Sequence, residues 1–169
     1  METKIIRERR KSVAFSFSET DELIVKAPIF LSNKKLCEII DKNREKIDKI
    51  KLRKDSFKEK LSQYKAGELE QKARETLEKR LPYWEEKMRI SPKTVKITSA
   101  KQRFGSCSSN GTVCFSKYLF MRSEKEIDYV LVHELAHLYK MDHSKGFYEI
   151  IASVMPDYKE AQKLLKNNV

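Results

Sequence analysis

The chain has 169 residues, enough for one domain or for one domain with a helical extension, and long enough to enclose a core. Lys and Arg number 36 against 25 Asp and Glu, a net charge of +11 that speaks to solubility and attraction to polyanions, not to fold. No apolar run approaches the ~18 residues of a membrane span, the charged N-terminus has no signal-peptide core, and three cysteines are an odd number, so reduced thiols in a cytoplasm are expected.

Residues 12–27 read as a β-hairpin. Val13, Phe15 and Phe17 alternate with small or polar residues, S-E-T-D-E makes a turn, and Leu23 and Val25 resume the alternation. From Ser32 to about Lys51, Leu36, Ile39, Ile40, Ile47 and Ile50 fall at helical spacing. Lys51 to Lys65 is charged and lacks apolar periodicity, which predicts a loop or link. It divides an N-terminal hairpin-and-helix segment, 1–65, from a core, 66–169, with which it is expected to form one compact unit. A second helix carries Leu69, Ala73, Leu77, Leu81, Trp84 and Met88 on one stripe, kinked at Pro82 and stopped by Ser91-Pro92.

A second β region follows: V-K-I-T-S-A, R-F-G-S-C, the turn S-S-N-G, and T-V-C-F, where Asn-Gly between alternating segments signals a hairpin. Cys107 and Cys114 straddle that turn, and with Cys37 are better read as small buried hydrophobes than as ligands of a second metal. Ser123 and Glu126 have capping-box spacing ahead of I-D-Y-V-L-V-H-E-L-A-H-L, a helix apolar on nearly every face and therefore buried. Helices from Ser144 to Val154 and from Pro156 onward complete the chain. Strands, helices, strands, helices in that order predict an α+β domain with helices packed on a small, mainly antiparallel sheet.

All three histidines, His133, His137 and His143, lie in one window, H-E-L-A-H-L-Y-K-M-D-H. On a helix, residues four apart stand about 6 Å along the axis on one face, so His133 and His137 can reach one ion. Glu134 lies about 100° round the turn, placed to hold a water without ligating the metal. Two histidines and a carboxylate in an otherwise apolar helix need partners, and one zinc ion with its water would supply them. His143 is the favoured third ligand by its interval from His137, although Lys140 replaces the glycine that allows the sharp exit in H-E-x-x-H-x-x-G-x-x-H sites. Asp142, Glu149 and Asp157 are the rival carboxylates.

F-G-S-C-S-S-N-G, the H-E-L-A-H helix, D-H-S-K-G-F-Y and M-P-D-Y-K-E together resemble the YgjP-like zinc metallopeptidases, relatives of the SprT and WLM proteases with a zincin-like fold. Phe104 and Tyr148 stand where that family usually has tryptophan, and both keep an aromatic ring. The resemblance implies His133, His137 and His143 as zinc ligands and Glu134 as general base, in a zinc-dependent peptidase that hydrolyses peptide bonds through a zinc-activated water. Arg103, Tyr139 and Tyr148 are candidate oxyanion donors, and Thr112 to Phe115 is a candidate edge strand for an extended substrate.

Between Lys87 and Ser123 stand eight basic residues (Lys87, Arg89, Lys93, Lys96, Lys101, Arg103, Lys117, Arg122) and no acidic one. A solvated face is the plainer reading. The competing one is a weak nucleic-acid association, with a protease activity that depends on DNA or has been lost. A third reading is an interaction partner of a nuclease system that keeps the fold only. The expected partner in the leading case is a peptide or protein substrate.

Overall fold

The computed structural model describes residues 2–167. The chain divides after Ser62 into two compact units, each with its own sheet.

In the first unit, strand β1 (Thr3–Glu8) pairs in parallel with β3 (Leu23–Pro28), and β2 (Ala14–Phe17) pairs with β3 in antiparallel fashion. The alternation in β3 buries Leu23, Val25 and Ala27, which pack with Leu36 and Ile47 into one cluster. The predicted hairpin is present. Strand β1 was not legible, because its side chains lie half or fully exposed and it adds no alternating apolar face. The predicted helix from Ser32 is two helices. Ser32 caps α1 (Asn33–Lys42), and α2 (Arg44–Ser62) starts after Asn43, whose amide donates to Ile39 O at 2.7 Å and occupies a carbonyl at the end of α1.

Residues 51–62 are helical, not a link. Their support is electrostatic: Lys51 bridges Asp21 (2.9 Å) and Asp55 (3.0 Å), and Lys54 is bonded to Asp21 and to the Ser18 carbonyl. Only Ile47 of α2 is buried, so apolar periodicity could not reveal the element.

In the second unit, α3 (Glu68–Met88) buries Leu69, Ala73, Leu77, Leu81, Trp84 and Met88, the predicted stripe. It runs on past Pro82 and closes on Arg89, which takes the left-handed conformation (φ 54°) two residues before Ser91-Pro92. The sheet has the order β4 (Thr94–Thr98), β6 (Thr112–Ser116), β5 (Gly105–Cys107). Strands β5 and β6 form the Asn-Gly hairpin, whereas β4 lies parallel to β6. Both sheets are thus mixed, one parallel and one antiparallel pair each, where a mainly antiparallel sheet was expected. The correction matters at β6. Thr112 to Phe115 form the central strand, hydrogen-bonded on both sides, and cannot accept an added strand; β4 and β5 hold the edges.

A short 3-10 turn (Lys117–Met121) leads to α4 (Glu124–Ala136), followed by α5 (Lys145–Val154) and α6 (Tyr158–Asn167). The capping box is formed in both directions by Ser123 and Glu126. Helix α4 packs against α3, α5, α6 and β5, which explains its apolar circumference. It is locked to α3 by a partly buried polar triad. Asp128 accepts from Arg80 Nε (2.7 Å) and Trp84 Nε1 (3.0 Å), and Arg80 also meets Glu124 (3.0 Å). No helix among the described residues is long and apolar enough to cross a membrane.

Candidate active site

The end of α4 positions the histidines. His133 lies within the helix, and His137 is its C-cap residue, with helical backbone angles and its N–H on His133 O. The chain leaves the helix without glycine. Lys140 N donates to Ala136 O (3.0 Å), and among the described non-glycine residues only Asp21 and Arg89 have positive φ. The Lys140 carbonyl in turn lies 3.1 Å from His137 Nδ1. A carbonyl can only accept, so Nδ1 carries the proton and Nε2 keeps its lone pair. Lys140 thus performs the exit through its backbone, where the sequence pattern asked for a glycine.

The loop that follows brings His143 back. Its Nε2 stands 3.2 Å from His133 Nε2, and one ligand nitrogen from each of the three histidines falls within 4.8 Å of the others. Two nitrogens bound to one tetrahedral zinc at about 2.0–2.1 Å would stand roughly 3.3 Å apart, the spacing of the His133–His143 pair, and three imidazoles are a donor set that suits the ion. Phe147, fully buried, lies under all three rings with centroids 4.5–5.0 Å away. Burial, reinforced by the neighbouring imidazoles, pushes His133 down to about 4, and burial also lowers His137. Both are therefore neutral near pH 7, the form that binds metal.

The rival carboxylates are occupied elsewhere. Glu149 faces Lys145 (3.5 Å), Asp157 faces Lys125 (2.6 Å), and Asp142 accepts from the Ser144 N–H (3.1 Å).

Glu134 is 6% exposed, and burial raises its pKa to about 7 against the opposing charge of Arg103. It lies against Gly105 at the start of β5. A Cβ at position 105 would stand 2.5 Å from Glu134 Oε1, closer than such atoms approach. This role of Gly105 was missed; its only trace in the sequence is the glycine of F-G-S-C. Phe147 was missed as the floor of the site for the same reason, since a lone aromatic declares no partner.

Of the candidate oxyanion donors, Tyr139 is engaged: its hydroxyl donates to Met88 O at 2.7 Å. Tyr148 lies beside His143, ring centroids 6.4 Å apart, and stacks on Tyr158. The cysteines are free thiols. None is buried: Cys37 is exposed and Cys107 and Cys114 are half-buried, so the reading of them as buried hydrophobes is corrected. Cys107 faces Val113, not Cys114, across the hairpin.

These observations agree with comparison to known proteins. No curated protein matches the chain in sequence. The crystal structure of the metallopeptidase zymogen abylysin of Pyrococcus abyssi is similar, with 25% identity and a TM-score of 0.50 over 55% of this chain and 94% of that one. The metallopeptidase zymogen jannalysin of Methanocaldococcus jannaschii is less so, with 19% identity and a TM-score of 0.47 over 55% and 97%. Residues 53–168, well over half of the chain, match the YgjP-like metallopeptidase domain. The chain belongs to the YgjP-like family of metallopeptidases.

Proposed function

We propose that the protein hydrolyses peptide bonds in a site where His133, His137 and His143 hold one zinc ion and Glu134 is the general base. The observation that carries this reading is the placement of Glu134. In sequence it stands between two of the converging histidines, it is buried, and no ion pair to its carboxylate is present among the described residues. A structural zinc site has no use for such a group, and structural sites are usually closed by four ligands, commonly cysteines.

Bound zinc would supply Lewis-acid polarisation of the scissile carbonyl and acidify a water. Glu134 would take the proton from the attacking water and deliver it to the leaving amine nitrogen. Its burial, which raises its basicity, favours that exchange near neutral pH. The lock of Lys140 O on His137 Nδ1 orients that imidazole and fixes its tautomer. Arg103 and Tyr148 are the donors available to a developing oxyanion.

The test is Glu134→Gln, which keeps size and hydrogen bonding but removes the base. Zinc content by elemental analysis and thermal stability should hold, while hydrolysis of a peptide library should fall by on the order of a hundredfold. Undiminished hydrolysis would reject Glu134 as the base, and loss of zinc would make it a ligand.

A further inference from the structure

Next to His137 the second unit has an open groove of about 330 Å³ that the chemistry above does not use. His137 and Leu138 form one side of it, the hairpin tip Ser108–Gly111 another, and Ile90, Ser91 and Lys93 a third. Tyr139 and Met141, each about half exposed, supply an apolar rim.

Two polar side chains there, Lys93 and Asn110, keep donors without a protein acceptor among the described residues. Lys93 is held in place: its N–H donates to Gly111 O at 2.9 Å, and its stem packs so closely on Gly111 that a Cβ there would lie 3.1 Å from Lys93 Cγ. Gly111 has φ +84°, as the turn requires, so glycine serves both the turn and the lysine stem. The ammonium group has no ion-pair partner among the described residues. Asn110 Oδ1 accepts from Ser108 Oγ (2.6 Å) and from the Thr112 N–H (3.0 Å), and its amide N–H groups have no acceptor among the described residues. No carboxylate lines the groove. Glu85, which is not a lining residue, accepts the Ser91 hydroxyl at 3.1 Å.

An exposed cation on a packed stem and a side-chain amide with donors to spare, in a cleft adjoining His137, fit a carboxylate side chain on an extended peptide. We propose that this groove is a substrate subsite that takes an Asp or Glu side chain close to the scissile bond, with Lys93 as counter-charge and Asn110 as hydrogen-bond donor. The inference rests on the peptidase reading and names its substrate class: peptides with an acidic residue beside the cleaved bond.

Two readouts test it. First, a pooled peptide library is digested with zinc-loaded protein and the cleavage sites are mapped by mass spectrometry. Asp and Glu should be enriched at least about threefold at one position near the cleaved bond. Lys93→Gln should flatten that enrichment, and Lys93→Glu should replace it with Lys and Arg. Lys49→Glu, an exposed residue of the first unit with the same effect on net charge, should keep it. Cleavage without acidic enrichment, or enrichment that survives Lys93→Glu, would overturn the proposal while leaving the peptidase reading intact. Second, the same library is passed over immobilised zinc-loaded Glu134→Gln protein. Acidic peptides should be retained about tenfold over their Gln counterparts at low salt, an advantage lost in the Lys93→Glu, Glu134→Gln double variant. Equal retention would reject the subsite. If the library is never cleaved, the peptidase reading is what fails.

Discussion

Gly105 and Glu134 occupy mutually exclusive space: the smallest possible side chain at position 105 would collide with the Glu134 carboxyl, its Cδ 2.7 Å and its Cγ 2.6 Å away. Strand β5 therefore roofs Glu134, the proposed general base, because it begins with glycine. Gly105→Ala should push Glu134 from its position, since the α4 backbone is packed on every side and only the carboxyl end can yield. Peptide hydrolysis should fall at least tenfold with zinc still bound, and stability should drop by about 1–3 kcal/mol through overpacking. Wild-type activity in Gly105→Ala would show that the base tolerates displacement and that Gly105 is only a strand residue.

The ligand assignment ranks four side chains. His143 shares the cluster, whereas Glu149 and Asp157 face lysines and Asp142 caps a turn. Purified protein should contain about one zinc per chain, lost in His137→Ala and weakened in His143→Ala, with Glu149→Ala retaining it. Chelation should lower the melting temperature of wild type more than that of His143→Ala. Zinc loss in Glu149→Ala together with retention in His143→Ala would reverse the ranking.

How much of this was legible in the sequence follows from where each element gets its support. The metal window and α4 were readable because helical spacing, a capping box and an apolar circumference all agree over Ser123–His137. The β5–β6 hairpin declared itself through Asn110-Gly111. What stayed hidden depends on pairings between distant segments. Strand β1 is held by β3 and has no buried face, and α2 is held by Asp21 through Lys51 and Lys54. The central place of β6 depends on β4 pairing with it in parallel, which no local pattern encodes. The roof over Glu134 was likewise out of reach, because a glycine in a sequence does not name the atom that fills its empty space.

The Asp21 pair offers a pH test in the first unit. Hydrogen bonds from Lys51 and Lys54 hold the Asp21 carboxyl down at about 2, below its ordinary 3.8. A folded pKa below the unfolded one means stability that is fully present above about pH 4 and lost as pH falls toward about 2. Asp21→Asn keeps the left-handed backbone (φ 67°), which asparagine tolerates, and removes the charge. The stability gap between wild type and variant in thermal unfolding should be constant near neutral pH, close between about pH 4 and pH 2, and shrink with added salt. A gap independent of pH would assign the effect to hydrogen-bond geometry instead of charge.

The basic stretch from Lys87 to Arg122 carries the last prediction. The structure does not spread it as an even wall of free charge. Lys87 lies over Trp84 (5.0 Å), Lys117 over Tyr118 (5.8 Å), and Arg122 over Phe104 (5.1 Å), where burial lowers the Arg122 pKa. Arg89, Lys93, Lys96 and Arg103 are exposed, Lys96 on edge strand β4 and Arg103 on the loop before β5, and Lys101 lies between those two in sequence. So few phosphate contacts predict weak DNA binding, without sequence preference, that is measurable at about 50 mM salt and gone by about 200 mM. Reversing Lys96, Lys101 and Arg103 to Glu should abolish it. Because Arg103 also acts on Glu134, the Lys96 and Lys101 pair should be reversed separately and should weaken binding with hydrolysis retained. If wild type is not retained on DNA even at low salt, the basic stretch is a solvated face; if it binds with sequence preference, base contacts must come from elsewhere in the chain.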